Sequence, residues 1–383
     1  MKILLLGSKE YPFGTSHAYD QKAGGGIEAH VDKLAKYLSR EGHDVYIITR
    51  RFPGQAAEEI IKTSPTGSVH VKRTRFIYNP LMRAMTFNLF AAVGAMSLIR
   101  REGIELIHCH GAVAGFFGAV LSGLSGKPMV FTPHGTVSTW SSPIKDVLRF
   151  FESVSVLSAR KTLFISPKTR KEMTSLMEFP NALLTNAIDF EDYALSPGAK
   201  KAERPTRFLF LGRLERIKGV MTVLQAFAEF AIVHPESTLT VAGDGAMRNE
   251  VQEFIRKNRN SRIDFMGWIS AKDIPELFSR HDVFLLPSAE KGQPVALLEA
   301  MASGKIIITS LDYIDDLNTG IKTSPFDPKE LYDMMLYAYE NPECRRFGEN
   351  AKLHACGLGW DAIIKSFLKE YKEVVDNEKK TQR

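Results

Sequence analysis

The sequence alternates regularly between short apolar runs and segments of helical spacing, a pattern that few folds can accommodate. In the first half, the apolar runs cover residues 2–6, 44–49, 105–108, 128–132 and 161–165. The segments between these runs, such as residues 27–40, place apolar side chains three and four positions apart. Such alternation is typical of a parallel sheet with helices on both faces.

The alternation stops at residues 196–206, which have the polar, Gly- and Pro-containing composition of a linker. It then restarts with apolar runs at residues 207–211, 238–242, 262–265, 282–286 and 305–309. We therefore predict an α/β protein with two doubly wound, Rossmann-like domains facing across a cleft, where ligands of such sheets bind. The predicted domains are residues 1–195 and residues 207–358, followed by a C-terminal helix over residues 359–383.

Composition limits the class of protein. A chain of 383 residues with 44% hydrophobic and 25% charged residues fits a soluble globular protein of two domains. Lysine and arginine exceed aspartate and glutamate by 50 to 44, which suits phosphate ligands or an anionic membrane but is too small to predict a nucleic-acid partner. Three cysteines make neither a disulfide framework nor a zinc motif, and no apolar run reaches the ~20 residues of a membrane-spanning helix. We expect a cytoplasmic protein.

Residues 287–304 carry the chemistry that first suggests a ligand. They follow an apolar run and read as a loop that leads into a helix, with Pro294 at the helix start and Gly304 at its end. Free backbone amides and the helix dipole attract anions at such a start. Glu290 and Glu299 flank the loop, and carboxylates beside a phosphate are best explained if they accept protons from sugar or ribose hydroxyls. The pattern suggests a nucleotide-sugar site; the alternative is an ordinary βα loop with solvated acids.

Two cations follow the first apolar run of the second domain. Arg213 lies directly after the predicted strand, and Lys218 lies near the start of the next helix. An arginine presents a fork of donors to phosphate oxygens, and a lysine presents a compact charge. Together they could neutralise a diphosphate without a metal, although isolated loop cations are usually solvated. Their place in the same predicted sheet as residues 287–304 favours a functional role.

The order of the motifs along the chain identifies a family. The motifs are Gly-Gly-Gly-Ile-Glu-Ala-His-Val at residues 24–31, His-Cys-His-Gly at 108–111, Thr-Pro-His-Gly at 132–135, Arg213-x4-Lys218, Ala-Gly-Asp-Gly at 242–245, Phe-Met-Gly-Trp at 265–268 and Leu-Leu-Glu-Ala-Met-Ala-Ser-Gly at 297–304. Each motif is weak alone, but their order and spacing over nearly the whole chain resemble the retaining glycosyltransferases of family 4, which have the two-domain GT-B fold.

The resemblance implies roles for residues of the second domain. Arg213 and Lys218 would hold the diphosphate of a nucleotide-sugar donor and stabilise it as it leaves. Glu299 would accept the ribose hydroxyls, and Glu290 would contact hydroxyls of the transferred sugar. The backbone amides that would meet the distal phosphate are those of Val295, Ala296 and Leu297.

The resemblance also implies roles for the first domain. Gly25 and Gly26 would let the backbone approach the phosphates or the acceptor, since neither has a Cβ. Glu28 would orient this glycine loop, and His134 would lie near the anomeric carbon. The C-terminal helix at residues 359–383 would cross back to the first domain. The implied reaction moves a hexose with retention to a glycan, lipid or small-molecule acceptor, by same-face attack and without a cofactor or metal.

Three departures from the family pattern stand out. Eight residues separate Glu290 from Glu299 where the family has seven, so either Glu290, with a bulge in the following loop, or Lys291 fills the first position. Ala187 stands where the family usually has glycine, and we expect no glycine-type backbone angle there. Residues 309–317 lack the usual glycine pair, so we expect a differently shaped loop.

Two other functions compete with this interpretation. Gly24-x-Gly26-x-x-Ala29 matches the dinucleotide-binding fingerprint, and Arg50 with Arg51 would suit the 2′-phosphate of NADP in an oxidoreductase. That fingerprint should directly follow the first strand, whereas a long loop intervenes here. A non-catalytic nucleotide-sugar-binding protein is the other alternative, and the position of Lys291 favours it.

Two further patterns suggest ligands. His108 and His110 lie two apart on a predicted strand and share one face, but no third metal ligand is apparent, so we interpret His108 as a structural histidine. Residues 72–101 mix basic and aromatic side chains. This segment could place the protein on the inner face of a membrane as a peripheral contact, or it could be a helix packed on its own core.

Overall fold

The computed structural model describes residues 1–12, 26–77, 82–135, 145–194, 204–259, 262–290 and 294–381. The chain divides into two compact units. The first unit comprises Met1–Asn186 together with Trp360–Arg383, and the second unit comprises Ala187–Gly359. The Gly25 and Lys291 predictions, and most of the predicted linker, fall outside the described residues.

Strands and helices alternate in both units. The strands are β1 (Lys2–Leu6), β2 (Asp44–Arg50), β3 (Glu58–Lys62), β4 (Ser68–Thr74), β5 (Leu106–His110), β6 (Met129–Thr132), β7 (Lys161–Phe164), β8 (Asn181–Leu183), β9 (Arg207–Leu211), β10 (Thr238–Ala242), β11 (Ile263–Gly267), β12 (Val283–Leu286), β13 (Ile306–Thr309) and β14 (Ile321–Lys322). The helices are α1 (Gly26–Arg40), α2 (Arg83–Glu102), α3 (Ala112–Ser125), α4 (Lys145–Ser158), α5 (Pro167–Thr174), α6 (Phe190–Ala194), α7 (Val220–Val233), α8 (Arg248–Lys257), α9 (Ile274–Ser279), α10 (Val295–Ala302), α11 (Pro328–Glu340), α12 (Cys344–Cys356) and α13 (Trp360–Thr381).

The first unit is built on an eight-stranded sheet of order β3-β4-β2-β1-β5-β6-β7-β8. Its paired strands are parallel except β3 with β4. Every residue of β5 is buried, as expected for a strand covered on both faces. The order of the strands reverses between β1 and β5, so the segments that follow these two strands leave from the switch point of the sheet. Helix α13 packs against α1 in this unit.

The second unit is built on a six-stranded parallel sheet of order β11-β10-β9-β12-β13-β14. Its core contains an edge-to-face cluster in which Phe208 of β9 lies 5.6 Å from Phe227 and 5.3 Å from Phe230, ring centre to ring centre. The strand order reverses between β9 and β12. Helix α6 packs against α9 and α10, which explains why the second unit begins at Ala187 rather than after residue 195.

The two doubly wound, Rossmann-like domains predicted from the sequence are confirmed. Strands β1, β9 and β10 have the limits that the apolar runs predicted. The sequence analysis missed β3, β4, β8 and β14. Strand β3 is an edge strand whose Glu58 and Glu59 are exposed; such charges protect an edge from pairing but make the segment look like a loop. Ala187 is not among the described residues with positive φ, as expected.

Candidate functional site

The predicted nucleotide site lies at the switch point of the second sheet. Strands β9 and β12 are parallel neighbours, so the loops that follow them leave from the same edge. The two loops are hydrogen-bonded to each other: the Ala289 amide donates to the Ile217 carbonyl at 2.9 Å, and the Ser288 hydroxyl donates to the same carbonyl at 3.1 Å. The structure therefore brings together the two segments that the sequence analysis singled out.

A single carboxylate joins the two predicted cations. The Lys218 ammonium donates to one oxygen of Glu290, and the Arg213 guanidinium lies 3.8 Å from the other oxygen. Lys218 is buried, whereas the Arg213 side chain is 59% exposed and also pairs with Glu215 at 2.7 Å. Burial of a charged group is less costly where an opposite charge lies beside it. The arrangement therefore holds two cations and two carboxylates, those of Glu215 and Glu290, at one place.

The loop around Lys218 depends on glycines for its shape. Gly219 follows a 3-10 turn (Arg216–Lys218) with φ +73°, and a Cβ there would lie 2.3 Å from the Pro287 carbonyl oxygen. Any side chain at this position would separate the two loops. The close approach of residue 219 to residue 287 thus sets the position of Lys218 relative to Glu290.

The Ala-Gly-Asp-Gly segment at residues 242–245 supports the Arg213 loop from the other side. The Leu214 amide donates to the Asp244 carbonyl at 2.9 Å, and the Gly212 amide donates to the Ala242 carbonyl at 3.1 Å. A Cβ on Gly243, whose φ is +133°, would lie 1.8 Å from the Gly212 oxygen. The motif therefore supports the cationic loop through backbone contacts.

Helix α10 presents its N-terminus after the second loop. The helix begins at Val295, with Pro294 as an extended N-cap and no side-chain capping hydrogen bond among the described residues. The first amides of a helix have no partner within it, and they attract anions. The Leu297 amide donates to the Pro294 carbonyl at 3.1 Å, so the predicted phosphate contact rests with Val295 and Ala296. Gly304 has φ +63° just beyond the helix end, as predicted.

Glu299 is buried on the second turn of α10. The Tyr193 hydroxyl, on α6, donates to one Glu299 oxygen at 2.7 Å. Burial and the neighbouring carboxylate raise the pKa of Tyr193 well above its usual range, so it remains a donor. The sequence analysis missed Tyr193 because it assigned this segment to the first domain. The bond fixes the orientation of the carboxylate that is predicted to meet ribose.

A second cluster lies at the switch point of the first sheet. His110 ends β5, His134 follows β6, and His30 lies on α1. The His110 Nδ1 lies 3.0 Å from the His134 Nε2, and the His30 ring centre lies 5.7 Å and 5.1 Å from these two rings. Parallel strands end at one edge, which explains how residues far apart in sequence meet here.

His108 lies two residues before His110 on β5 and is a structural histidine, as predicted. Its Nδ1 lies 2.6 Å from the Tyr371 hydroxyl of α13, and its Nε2 lies 2.8 Å from the Thr132 hydroxyl. Both ring nitrogens are therefore satisfied within the core.

Burial determines the charge of the histidines. It lowers the pKa of His30 to about 4, although a hydrogen bond with Asn186 opposes the shift. Burial also lowers the pKa of His110 and of His134 well below the usual range, and neighbouring histidines add to the effect. The rings are therefore neutral at pH 7 and act as hydrogen-bond partners or metal ligands.

The start of α1 carries the remaining predicted residues of the first domain. Glu28 is buried, and its carboxylate lies 3.7 Å from the Lys9 ammonium and accepts from the Lys9 amide at 3.4 Å. This contact ties α1 to the segment after β1. A Cβ on Gly26 would meet no described atom within 4 Å, so close approach at Gly26 is not needed for packing.

The NADP alternative loses one of its two predicted phosphate contacts. Arg50 is buried, with its guanidinium 5.0 Å from the Phe76 ring and 5.3 Å from the Phe87 ring. An arginine stacked inside the core in this way cannot present its donors to a 2′-phosphate. Arg50 is therefore structural, whereas Arg51, the other predicted cation, is exposed and donates to the Gln55 carbonyl at 3.1 Å.

Comparison with known proteins covers both units. The profile of Glycosyltransferase Family 4 matches residues 24–192, and that of Glycosyl transferases group 1 matches residues 194–354. Among curated relatives, the glycogen synthase of Mycobacterium tuberculosis is 27% identical over 353 residues, which cover 85% of this chain and 83% of that protein.

Solved structures show the same fold. Sucrose-phosphate synthase from Thermosynechococcus elongatus superposes with a TM-score of 0.82 at 20% identity, covering 98% of this chain and 99% of the other. HepE from Anabaena, solved in complex with UDP and glucose, superposes with a TM-score of 0.74 at 18% identity, covering 97% and 100%. With both profiles matched and the doubly wound sheets of both units in place, this chain belongs to the family 4 glycosyltransferases and has the GT-B fold.

Proposed function

We propose that this chain is a retaining glycosyltransferase that moves a hexose from a nucleotide-diphospho-sugar to a glycan, lipid or small-molecule acceptor. The observation that carries the proposal is the convergence of Lys218 and Arg213 on Glu290 at the switch point of the second sheet. Two cations on hydrogen-bonded loops, with the start of α10 shortly after the second loop in sequence, suit a diphosphate.

The cations act on the leaving group in the proposed reaction. As the bond between the anomeric carbon and the phosphate oxygen breaks, negative charge grows on the diphosphate. We assign Lys218, Arg213 and the Val295 and Ala296 amides to that charge, because groups fixed before the reaction usually make the largest catalytic contribution. The donor phosphates would replace Glu290 as the partner of Lys218. Glu290 would then be available for a hydroxyl of the sugar, and no metal is needed for this step.

The remaining residues position the donor and the sugar. Glu299, oriented by Tyr193, accepts the ribose hydroxyls. His134 of the first unit contacts the sugar near the anomeric carbon as a neutral hydrogen-bond partner, consistent with its lowered pKa. The acceptor attacks the face from which the phosphate leaves, and the departing phosphate oxygen takes the acceptor's proton. Attack on the same face that the phosphate leaves retains the anomeric configuration.

The first experiment identifies the donor. Thermal unfolding of the full chain is followed with UDP, GDP, ADP and the corresponding hexose derivatives, because a ligand that binds the native state raises the unfolding temperature. UDP comes first, since HepE was solved with UDP and glucose. The stabilising sugar nucleotide is then incubated with candidate acceptors, and the anomeric configuration of the product is read by NMR.

The outcomes separate the alternatives. Stabilisation by one nucleotide, with slow donor hydrolysis and a product of retained configuration, supports the proposal. Stabilisation without any hydrolysis or transfer would favour the non-catalytic nucleotide-sugar-binding protein. A product of inverted configuration would contradict the proposed same-face attack.

A surface of the first unit suits a membrane-bound acceptor. Helices α2 and α3 enclose a groove of ≈ 780 Å³, and the apolar side chains exposed there include Val93, at 67%, and Leu124, at 75%. Arg100 and Arg101 line the same groove. Among the described residues, no helix is both long and apolar enough to cross a membrane. We assign this groove to peripheral contact with an anionic membrane on its cytoplasmic face, where buried apolar area and arginine charge act together.

A further inference from the structure

We propose that His30, His110 and His134 form a binding site for a divalent transition-metal ion such as Zn²⁺, and that metal bound there inhibits sugar transfer. The three residues come from α1, from the end of β5 and from the segment after β6. Among the histidines, the sequence suggested a metal for His108 and His110, with no third ligand apparent. The metal site itself follows from the geometry, whereas inhibition rests on the proposed function of His134.

The distances among the rings suit one ion. One ring nitrogen from each of the three histidines lies within 4.8 Å of the other two, and the His110 Nδ1 lies 3.0 Å from the His134 Nε2. A tetrahedral zinc with Zn–N bonds of roughly 2.0–2.1 Å places its nitrogen ligands roughly 3.3 Å apart. Small changes in side-chain torsion would therefore bring the three nitrogens to one ion without moving the strands.

The second observation is a pair of unsatisfied ring nitrogens. The Nε2 atoms of His30 and His110 are buried, yet neither has a hydrogen-bond partner within the described segments. The two residues are only 6% and 2% exposed. Buried polar atoms nearly always have a hydrogen-bond partner. Two buried nitrogens without one in the same small cluster therefore suggest a ligand. A neutral imidazole has one lone pair, so His110 can offer a metal ion either its unpartnered Nε2 or, once the bond to His134 breaks, its Nδ1, and His30 can offer its unpartnered Nε2.

The chemistry of the cluster selects the metal. Three neutral imidazole nitrogens suit Zn²⁺, Cu²⁺ or Ni²⁺, whereas Mg²⁺ and Ca²⁺ prefer oxygen ligands. Three protein ligands leave the fourth position of a zinc ion open to water or another ligand, unlike a closed four-ligand structural site. The His30 ring also bonds to Asn186, which would orient it as a ligand.

Inhibition follows from the shared residue. A ring nitrogen of His134 bound to metal no longer donates to or accepts from the sugar. We therefore expect Zn²⁺ to inhibit transfer and Mg²⁺ to have no effect. This mode of inhibition leaves the Lys218 region and nucleotide binding untouched.

The direct test is a titration of the EDTA-treated full chain with Co²⁺, followed by visible absorption. The exposed His354 and Cys356 lie two residues apart on α12 and could bind metal weakly, so the titration uses a His354→Gln/Cys356→Ser background. We expect one equivalent of Co²⁺ with the intense visible bands of low-symmetry coordination, displaced by Zn²⁺. Absence of such bands would overturn the proposal.

Variants locate the site. His30→Gln and His110→Gln should each weaken Co²⁺ binding by at least about 100-fold, because loss of a ligand costs more than loss of an orienting partner. His70→Gln is the matched control, since His70 lies in the same unit but outside the cluster and should leave the affinity unchanged. Far-UV circular dichroism checks folding, and His30→Gln decides the matter if His110→Gln does not fold. Unchanged affinity in folded His30→Gln would contradict the site.

The activity measurement separates the two parts of the proposal. Micromolar Zn²⁺ should lower the transfer rate of the parent chain at least tenfold. It should leave the transfer rate of His30→Gln nearly unchanged. Metal binding without inhibition would retain the site and overturn its regulatory role. Complete absence of transfer under all conditions would contradict the proposed function, while the Co²⁺ titration would still decide the metal site.

Discussion

The buried His30 ring makes the stability of the first unit depend on pH in a calculable way. Burial lowers its pKa to about 4, whereas the unfolded chain has the ordinary value of 6.5. A histidine with a lowered folded pKa contributes stability that is fully present above pH 6.5 and is lost as the pH falls towards 4. Between pH 7.5 and pH 5.0, we expect His30 alone to reduce the free energy of unfolding by about 2 kcal/mol.

The surroundings of His30 explain why the ring stays neutral. It contacts the His110 and His134 rings, and its centre lies 5.4 Å from that of Trp360. Its hydrogen bond with Asn186 favours the charged form, but desolvation outweighs it. No salt bridge to His30 occurs among the described residues. Folding is therefore coupled to keeping the proton off this ring.

The assay follows urea unfolding in EDTA between pH 5.0 and pH 7.5, with Trp360 as the fluorescent reporter of the first unit. Trp140→Phe and Trp268→Phe remove the other two tryptophans. His30→Gln in this background should lose the pH dependence due to one histidine. Between pH 7.5 and pH 5.0, the free energy of unfolding should therefore fall by about 2 kcal/mol more in the parent chain than in the variant. Parallel pH profiles for the two proteins would refute the assignment of a neutral buried His30.

Three further outcomes follow from the packing and the surface. Gly219→Ala should lower the free energy of unfolding by about 1–3 kcal/mol in a urea titration, because φ is +73° and the Cβ would lie 2.3 Å from the Pro287 oxygen; an unchanged value would contradict the tight contact of the loops. Tyr193→Phe should weaken nucleotide binding by roughly 10- to 150-fold in calorimetry, since the bond that orients Glu299 is worth about 1.5–3 kcal/mol; equal affinity would show that the orientation is set elsewhere. Leu124→Asp should reduce co-sedimentation with anionic vesicles severalfold without changing nucleotide affinity, whereas unchanged sedimentation would exclude the α2–α3 groove as the docking surface.

Much of the fold could be predicted because strands of a doubly wound sheet are buried on both faces. Such strands appear in the sequence as continuous apolar runs, and β9 and β10 have the predicted limits. Strand β3 could not be predicted in this way, since its charged, exposed residues lack both an apolar run and an alternation. Strand β14 has only two residues, too few for any periodic pattern.

The proximity of Lys218 and Glu290 was predictable because the sequence marks both loops and places them in one sheet, whereas the meeting of the three histidines was not. Lys218 and Glu290 belong to loops that the sequence already marked, and the neighbouring β9 and β12 bring them together. His30, His110 and His134 are distant along the chain, and no single motif joins them. Only the knowledge that β1, β5 and β6 are neighbours places the three rings at one edge.

In the proposed reaction, fixed cations of the second unit, and no metal ion, stabilise the charge on the departing diphosphate. Lys218 is the cleanest probe because its ammonium is buried against Glu290, whereas the control Lys257 is exposed and pairs with Glu253 on α8. The decisive measurement is the single-turnover rate of sugar transfer from saturating donor, in EDTA. We predict full activity of the parent chain and of Lys257→Met, and a rate reduced by about 10²–10³ for Lys218→Met. An unchanged rate for Lys218→Met, or loss of the parent activity in EDTA, would contradict the account.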